Sequence, residues 1–276
     1  MPHPSGTTKT KGCVIRFQAQ PEQVVRVDHM ANALFVNHLH EKGRLMATII
    51  FIPGLICDAD LFADQIAMAR ETHRVAIADT TRDDTIAAMA RRLLEAYPDD
   101  ELTLIGLSMG GYIALEVQAQ APERTSGIAL LDTNARADAP EASEDRKRLI
   151  ALTEAGRFDE VCRTLSRKFV AQARGQDTAL QARIAAMASN IGPEAFIRQE
   201  RAIMGRRDHR ARLPEMKIPA LVIVGDEDVL TPPALSQEMA EALPQATLGI
   251  IPDCGHLATM ERPEAVNRAL AAWLTT

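Results

Sequence analysis

A chain of 276 residues, 46% hydrophobic and 25% charged, carries enough apolar material for one large α/β domain with an insertion, or at most two domains. Its formal net charge of −6 disfavours nucleic acid or an anionic membrane surface as the main partner, and no apolar run reaches the roughly 18 residues of a membrane span. Cys13, Cys57, Cys162 and Cys254 are spaced for neither a metal knuckle nor a dense disulfide framework, so they read as free thiols of a reducing compartment.

Residues 1–20 are polar and rich in Gly, Ser, Thr and Lys, a composition that favours disorder. Residues 1–45 lack the pattern of a secretory signal, so a cytoplasmic location is expected. Val27, Ala31, Leu34 and His38 recur at helical spacing between Pro21 and Gly43, which predicts one amphipathic helix packed on the body or on a second subunit of a homodimer. A second reading makes residues 1–45 an appended extension. Met46 opens a compact start, and Glu41-Lys42-Gly43 suits the purine-rich codons of a ribosome-binding site.

From Thr48 strands and helices alternate. Strands are predicted at Thr48–Ile52, Arg74–Ala78, Leu102–Ile105 and Gly127–Leu131. Helices are predicted over Ala59–Arg70, from a cap at Asp83 or Asp84 through Ala96, and over Met109–Gln120. This spacing implies right-handed crossovers and a parallel sheet. From Asn134 to Leu213 no strand is evident. Phe158, Val161, Leu165 and Phe169 mark one helical face, Ile184, Met187 and Ile191 another, and Phe196 with Ile203 a third. Asn190-Ile191-Gly192-Pro193 breaks the helices between them. Arg198, Arg201, Arg206, Arg207 and Arg210 read as a solvated face; the alternative gives them an anionic substrate to hold. Alternation resumes with strands Pro219–Gly225 and Ala246–Ile251 and helices from Pro233 and over Pro263–Leu274.

Gly106-Leu107-Ser108-Met109-Gly110 lies at a predicted strand-to-helix junction, the nucleophile-elbow pattern. A turn this sharp strains the serine backbone and brings strand and helix together, and flanking glycines remove the Cβ atoms that would clash. A serine hydroxyl needs a base to take its proton and a third group to orient that base. Downstream, Gly225-Asp226-Glu227-Asp228 and Asp253-Cys254-Gly255-His256 each follow a predicted strand, where the catalytic groups of open α/β sheets collect.

With these motifs the chain from Thr48 to Thr276 resembles the α/β-hydrolase superfamily, among its lidded esterase-like members. The resemblance implies a mostly parallel sheet flanked by helices, with core segments 46–133 and 214–276 and a helical lid at 134–213. It implies Ser108 as nucleophile, His256 as base and Asp228 as the acid, with Asp226 the competitor and Asp132 a site some relatives use. The backbone N–H groups of Leu55 and Met109 would form the oxyanion hole. Many relatives carry His-Gly where this chain has Pro53-Gly54, which keeps the backbone role and removes a side chain that braces the loop. Cys57 reads as a buried bystander thiol rather than a reactive one.

The expected activity is hydrolysis of carboxylic esters of small or aliphatic substrates through an acyl-enzyme, without metal or organic cofactor. Two alternatives stand beside it. One is a lactonase, like enol-lactonase relatives with a similar Gly-Leu-Ser-Met-Gly-Gly elbow. The other is a ligand-binding receptor on the same fold with little turnover. The expected partner is a small-molecule ester or lactone.

Overall fold

The computed structural model describes residues 14–16 and 47–275. Among the described residues seven strands form one parallel sheet: β1 Val14–Arg16, β2 Thr48–Ile52, β3 Val75–Ile77, β4 Leu102–Leu107, β5 Thr125–Leu131, β6 Ala220–Gly225 and β7 Ala246–Ile251. Their order across the sheet is β1-β7-β6-β5-β4-β2-β3. The central strands are mostly apolar and buried because helices cover both faces. Leu104, Ile105, Leu107, Ile128 to Leu131 and Val222 to Val224 are all fully buried.

The helices are α1 Ala63–Ala69, α2 Ile86–Ala96, α3 Met109–Gln120, α4 Pro140–Glu154, α5 Phe158–Phe169, α6 Thr178–Met204, α7 Pro233–Ala242, α8 Ala258–Glu261 and α9 Pro263–Leu274. Helix α3 is apolar nearly all round and buried from Met109 to Gln118, as a helix wedged between other elements must be. Helices α4 to α6 enter between β5 and β6, after which the sheet resumes. Inside α6, Gly192 adopts φ 75° and ψ 168°, so the expected break is a kink between two arms. Pro193 pushes its predecessor out of the helical region, and glycine tolerates the positive φ.

Four expectations need correction. The helix over Ala59–Arg70 starts as a 3-10 turn, Ala59–Phe62, capped by Asp58, before α1 begins. The cap of α2 is Thr85, whose hydroxyl accepts from Ala88 N at 3.2 Å; Asp83 instead grips Arg92 through two hydrogen bonds of 2.6 and 2.9 Å. Within the polar first 20 residues, Val14–Arg16 pairs in parallel with Leu248–Ile250 of β7. The expected helix over residues 21–42 lies outside the described residues. The arginine cluster is not one solvated face. The Arg206 side chain is 7% exposed, pairs with Asp138 and stacks 4.4 Å over the Tyr112 ring, while Arg198 Nε donates to Thr81 O at 2.8 Å. Arg207 remains largely exposed.

Candidate active site

Ser108 stands where β4 turns into α3, with φ 55° and ψ −116°. The turn is possible only with glycine on both sides. A Cβ on Gly106 would lie 2.3 Å from Gly110 O, and one on Gly110 would lie 1.8 Å from Ile52 O. The strained residue is stapled to β5 and its exit: Ser108 N donates to Leu131 O at 2.9 Å and Thr133 Oγ1 donates to Ser108 O at 2.7 Å. Such bracing is what holds a non-glycine residue in a sparsely populated region.

The structure brings Ser108, His256 and Asp228 into one hydrogen-bonded chain. His256 Nε2 is 2.9 Å from Ser108 Oγ, and His256 Nδ1 is 2.8 Å from Asp228 Oδ2. The ring and the carboxylate are both nearly out of water, at 2% and 3% exposure. A carboxylate can only accept, so Nδ1 carries the proton and Nε2 offers its lone pair to the serine hydroxyl. Asp228 also accepts from Leu230 N at 2.8 Å, Thr231 N at 3.0 Å and Thr231 Oγ1 at 2.6 Å. Burial opposes ionisation of Asp228, but His256 and the Thr231 donors outweigh it and hold the carboxyl below its usual value.

The two competing carboxylates go elsewhere. Asp226 is exposed, and its Oδ1 accepts from Cys254 N at 3.3 Å. Asp132 is fully buried at the end of β5, with Oδ1 accepting from Gly225 N at 2.9 Å. Burial, reinforced by the charge of Asp228, raises the Asp132 carboxyl well above its ordinary range.

Two supporting side chains escape a reading of the sequence. Thr231 caps the Asp228 turn, and its Oγ1 lies 3.3 Å from His256 Nδ1; the Asp-x-x-Thr spacing is a weak turn signal for it. Buried Glu261 accepts from Gly255 N and Ala171 N, both at 2.9 Å, and so ties the histidine loop to the chain leaving α5. Nothing local in the sequence marks Glu261 for this.

The loop after β2 completes the site. A Cβ on Gly54 would lie 3.1 Å from Leu107 O and 3.3 Å from Ser108 Cβ, so loop and elbow touch. Leu55, Ser108, His256, Leu165, Phe169 and Ile203 are among the walls of a cavity of about 110 Å³, and Met109 begins α3 directly behind Ser108. Its charged wall residue, Arg146, pairs with Glu200 at 2.7 Å and Asp138 at 3.3 Å. Cys57 also lines it, and burial pushes its thiol far up, which keeps it protonated. Among the described residues no grouping of His, Cys, Asp and Glu suits a metal ion, and no helix is long and apolar enough to cross a membrane.

An elbow serine at the rim of a parallel sheet, beside a histidine and a buried carboxylate, defines a class of α/β protein. The alpha/beta hydrolase fold family matches residues 48–263, and the chain belongs to that family. It is 32% identical over 194 residues to a Mycobacterium tuberculosis protein that carries the name non-heme bromoperoxidase BpoC, covering 67% of this chain and 72% of that one. The structure of a thermophilic esterase from Thermogutta terrifontis, with malate bound, is similar at a TM-score of 0.76 and 27% identity, covering 83% of this chain and 89% of the other. That of the enol-lactonase from Burkholderia xenovorans LB400 shares the fold at a TM-score of 0.75 and 23% identity, covering 86% and 94%.

Proposed function

We propose that the protein is a serine hydrolase that cleaves carboxylic esters of small or aliphatic substrates through an acyl-enzyme. The observation that carries this reading is the Ser108–His256–Asp228 chain of hydrogen bonds, 2.9 and 2.8 Å. In this reading Ser108 Oγ attacks the ester carbonyl while His256 Nε2 takes the hydroxyl proton. Asp228 holds the ring in the Nδ1–H tautomer and stabilises the imidazolium. The N–H groups of Leu55 and Met109 receive the developing oxyanion, each such donor being worth roughly 3 kcal/mol in the transition state. His256 passes its proton to the departing alcohol, then activates a water that releases the acyl group and restores Ser108.

The insertion, residues 134–213, serves as the lid. Leu165, Phe169 and Ile203 give the cavity its apolar walls, and its small volume favours short acyl groups. Lactone opening uses the same steps, and the fold shared with an enol-lactonase keeps it as the second reading.

The test is turnover of p-nitrophenyl acetate and butyrate, together with a series of lactones, by the protein and by Ser108→Ala. Sustained turnover lost in the variant is the expected result. Ligand-induced thermal stabilisation without turnover would instead make the protein a receptor.

A further inference from the structure

The loop after β2 is held from outside the sheet. Ile56, one residue beyond Leu55, has φ 52°. A β-branched residue occupies that left-handed region only where its surroundings over-determine it. Its N–H donates to Gln199 Oε1 at 3.0 Å. Gln199 lies on the second arm of α6, is 0% exposed, and donates through Nε2 to both Thr80 O and Thr80 Oγ1 at 3.2 Å. One side-chain amide, wholly out of water, thus joins the inserted helix, the segment after β3 and the loop after β2.

The orientation of that amide is fixed by its partners. Turned over, its NH2 group would face the Ile56 N–H and its oxygen would face the Thr80 carbonyl, two repulsive contacts in place of attractive ones. Two further side chains tie the first arm of α6 to the same stretch of chain. Arg183 Nε donates to Asp60 Oδ2 at 2.9 Å, and Asn190 Nδ2 donates to Asp58 Oδ2 at 2.8 Å. Both arms of the kinked helix therefore grip residues 56–60. Pro53-Gly54 offers no hydrogen-bonding side chain within the loop to brace it; the brace comes from the insertion.

We propose that Gln199 is a positioning residue for the oxyanion loop: it pins the peptide that follows Leu55 and so aims the Leu55 N–H at the reacting carbonyl. This rests on the ester-hydrolase reading above. It gives α6 a second task beside covering the cavity, because a shift of the helix moves the oxyanion donor with it.

The test is Gln199→Met, similar in length and without the amide, assayed with p-nitrophenyl acetate and with an aryl trifluoromethyl ketone. The ketone adds to the serine and leaves its oxyanion in the hole. The expected kcat falls about tenfold or more, since a misaimed donor forfeits part of the 10²–10³-fold that loss of one costs. KM changes by less than about twofold, the ketone's inhibition constant rises by the factor by which kcat/KM falls, and amide exchange over residues 53–57 quickens. Should Gln199→Met not fold, Gln199→Glu keeps the shape and the acceptor for Ile56 but not the donors toward Thr80, and an intermediate loss is expected. Normal kcat and ketone affinity in a folded variant overturn the proposal, as does a loss carried by KM alone or one that spares ketone affinity. Absence of Ser108-dependent turnover in the unsubstituted protein overturns the ester-hydrolase reading itself, and the proposal with it.

Discussion

The carboxyl of Asp132, at the end of β5, accepts a hydrogen bond from the backbone N–H of Gly225, at the end of β6, at 2.9 Å. One buried side chain therefore links the exits of two strands. Burial and the nearby Asp228 charge raise its pKa, so folding favours the protonated form. The stability it gives is full below the unfolded pKa and declines as pH rises toward the folded one. Asp132→Asn mimics the protonated acid and should gain stability relative to the unsubstituted protein as pH is raised from 4 to 7. Asp132→Ala should cost about 1–3 kcal/mol by orphaning Gly225 N. Urea unfolding at both pH values checks this.

Thr231 and Asp228 make the opposite case. The depressed Asp228 pKa contributes stability above the unfolded carboxyl pKa that is lost as pH falls through the folded one. Thr231→Val removes the 2.6 Å donor to Oδ2 and should cost about 1–3 kcal/mol at pH 7, with the deficit shrinking at pH 3. Asp228→Asn disturbs the histidine tautomer and should lower kcat by roughly 10⁴-fold. Unfolding curves and ester kinetics measure the two effects separately.

Two glycines should respond very differently to alanine. Gly106→Ala forces a Cβ onto backbone at 2.3 Å and should destabilise by about 3 kcal/mol or more. Gly156 has φ 78° and open space around it, so Gly156→Ala should cost only about 1–2 kcal/mol of backbone strain. Thermal unfolding of the two variants, side by side, separates close approach from conformation.

Buried His209, 3.2 Å from Glu116 on α3, should make the protein acid-sensitive. Burial lowers its pKa despite the Glu116 charge. Below pH 6.5 the unfolded chain takes up a proton that the folded one resists, so stability falls with pH until the folded pKa is passed. His209→Gln should therefore lose less Tm than the unsubstituted protein between pH 7.5 and 5.5. Equal losses would discard the assignment.

Much of the core was legible because its signals are local. The clash that demands Gly106 comes from Gly110, four residues on, within the elbow motif itself, and β4 to β6 are short, mostly apolar runs bounded by turn signals. The Gly192-Pro193 break needs no partner to be read. Ser108, His256 and Asp228 were legible through the family resemblance of their motifs; the supporting side chains whose partners come from distant chain were not. Asp226 and Asp228 differ by two positions, yet the turn closed by Thr231 aims one at His256 and leaves the other in water. Thr85 displaced Asp83 as cap because Arg92 claimed the carboxylate. Glu261, Gln199 and the inward Arg206 were invisible for the same reason: their acceptors and donors lie up to 143 residues away along the chain. By itself the sequence determined which strands and turns form and which hydroxyl sits at the elbow. Only the tertiary structure decided which side chains brace the carboxylate and which helix holds the loop, because those choices depend on three-dimensional proximity that no short-range pattern encodes.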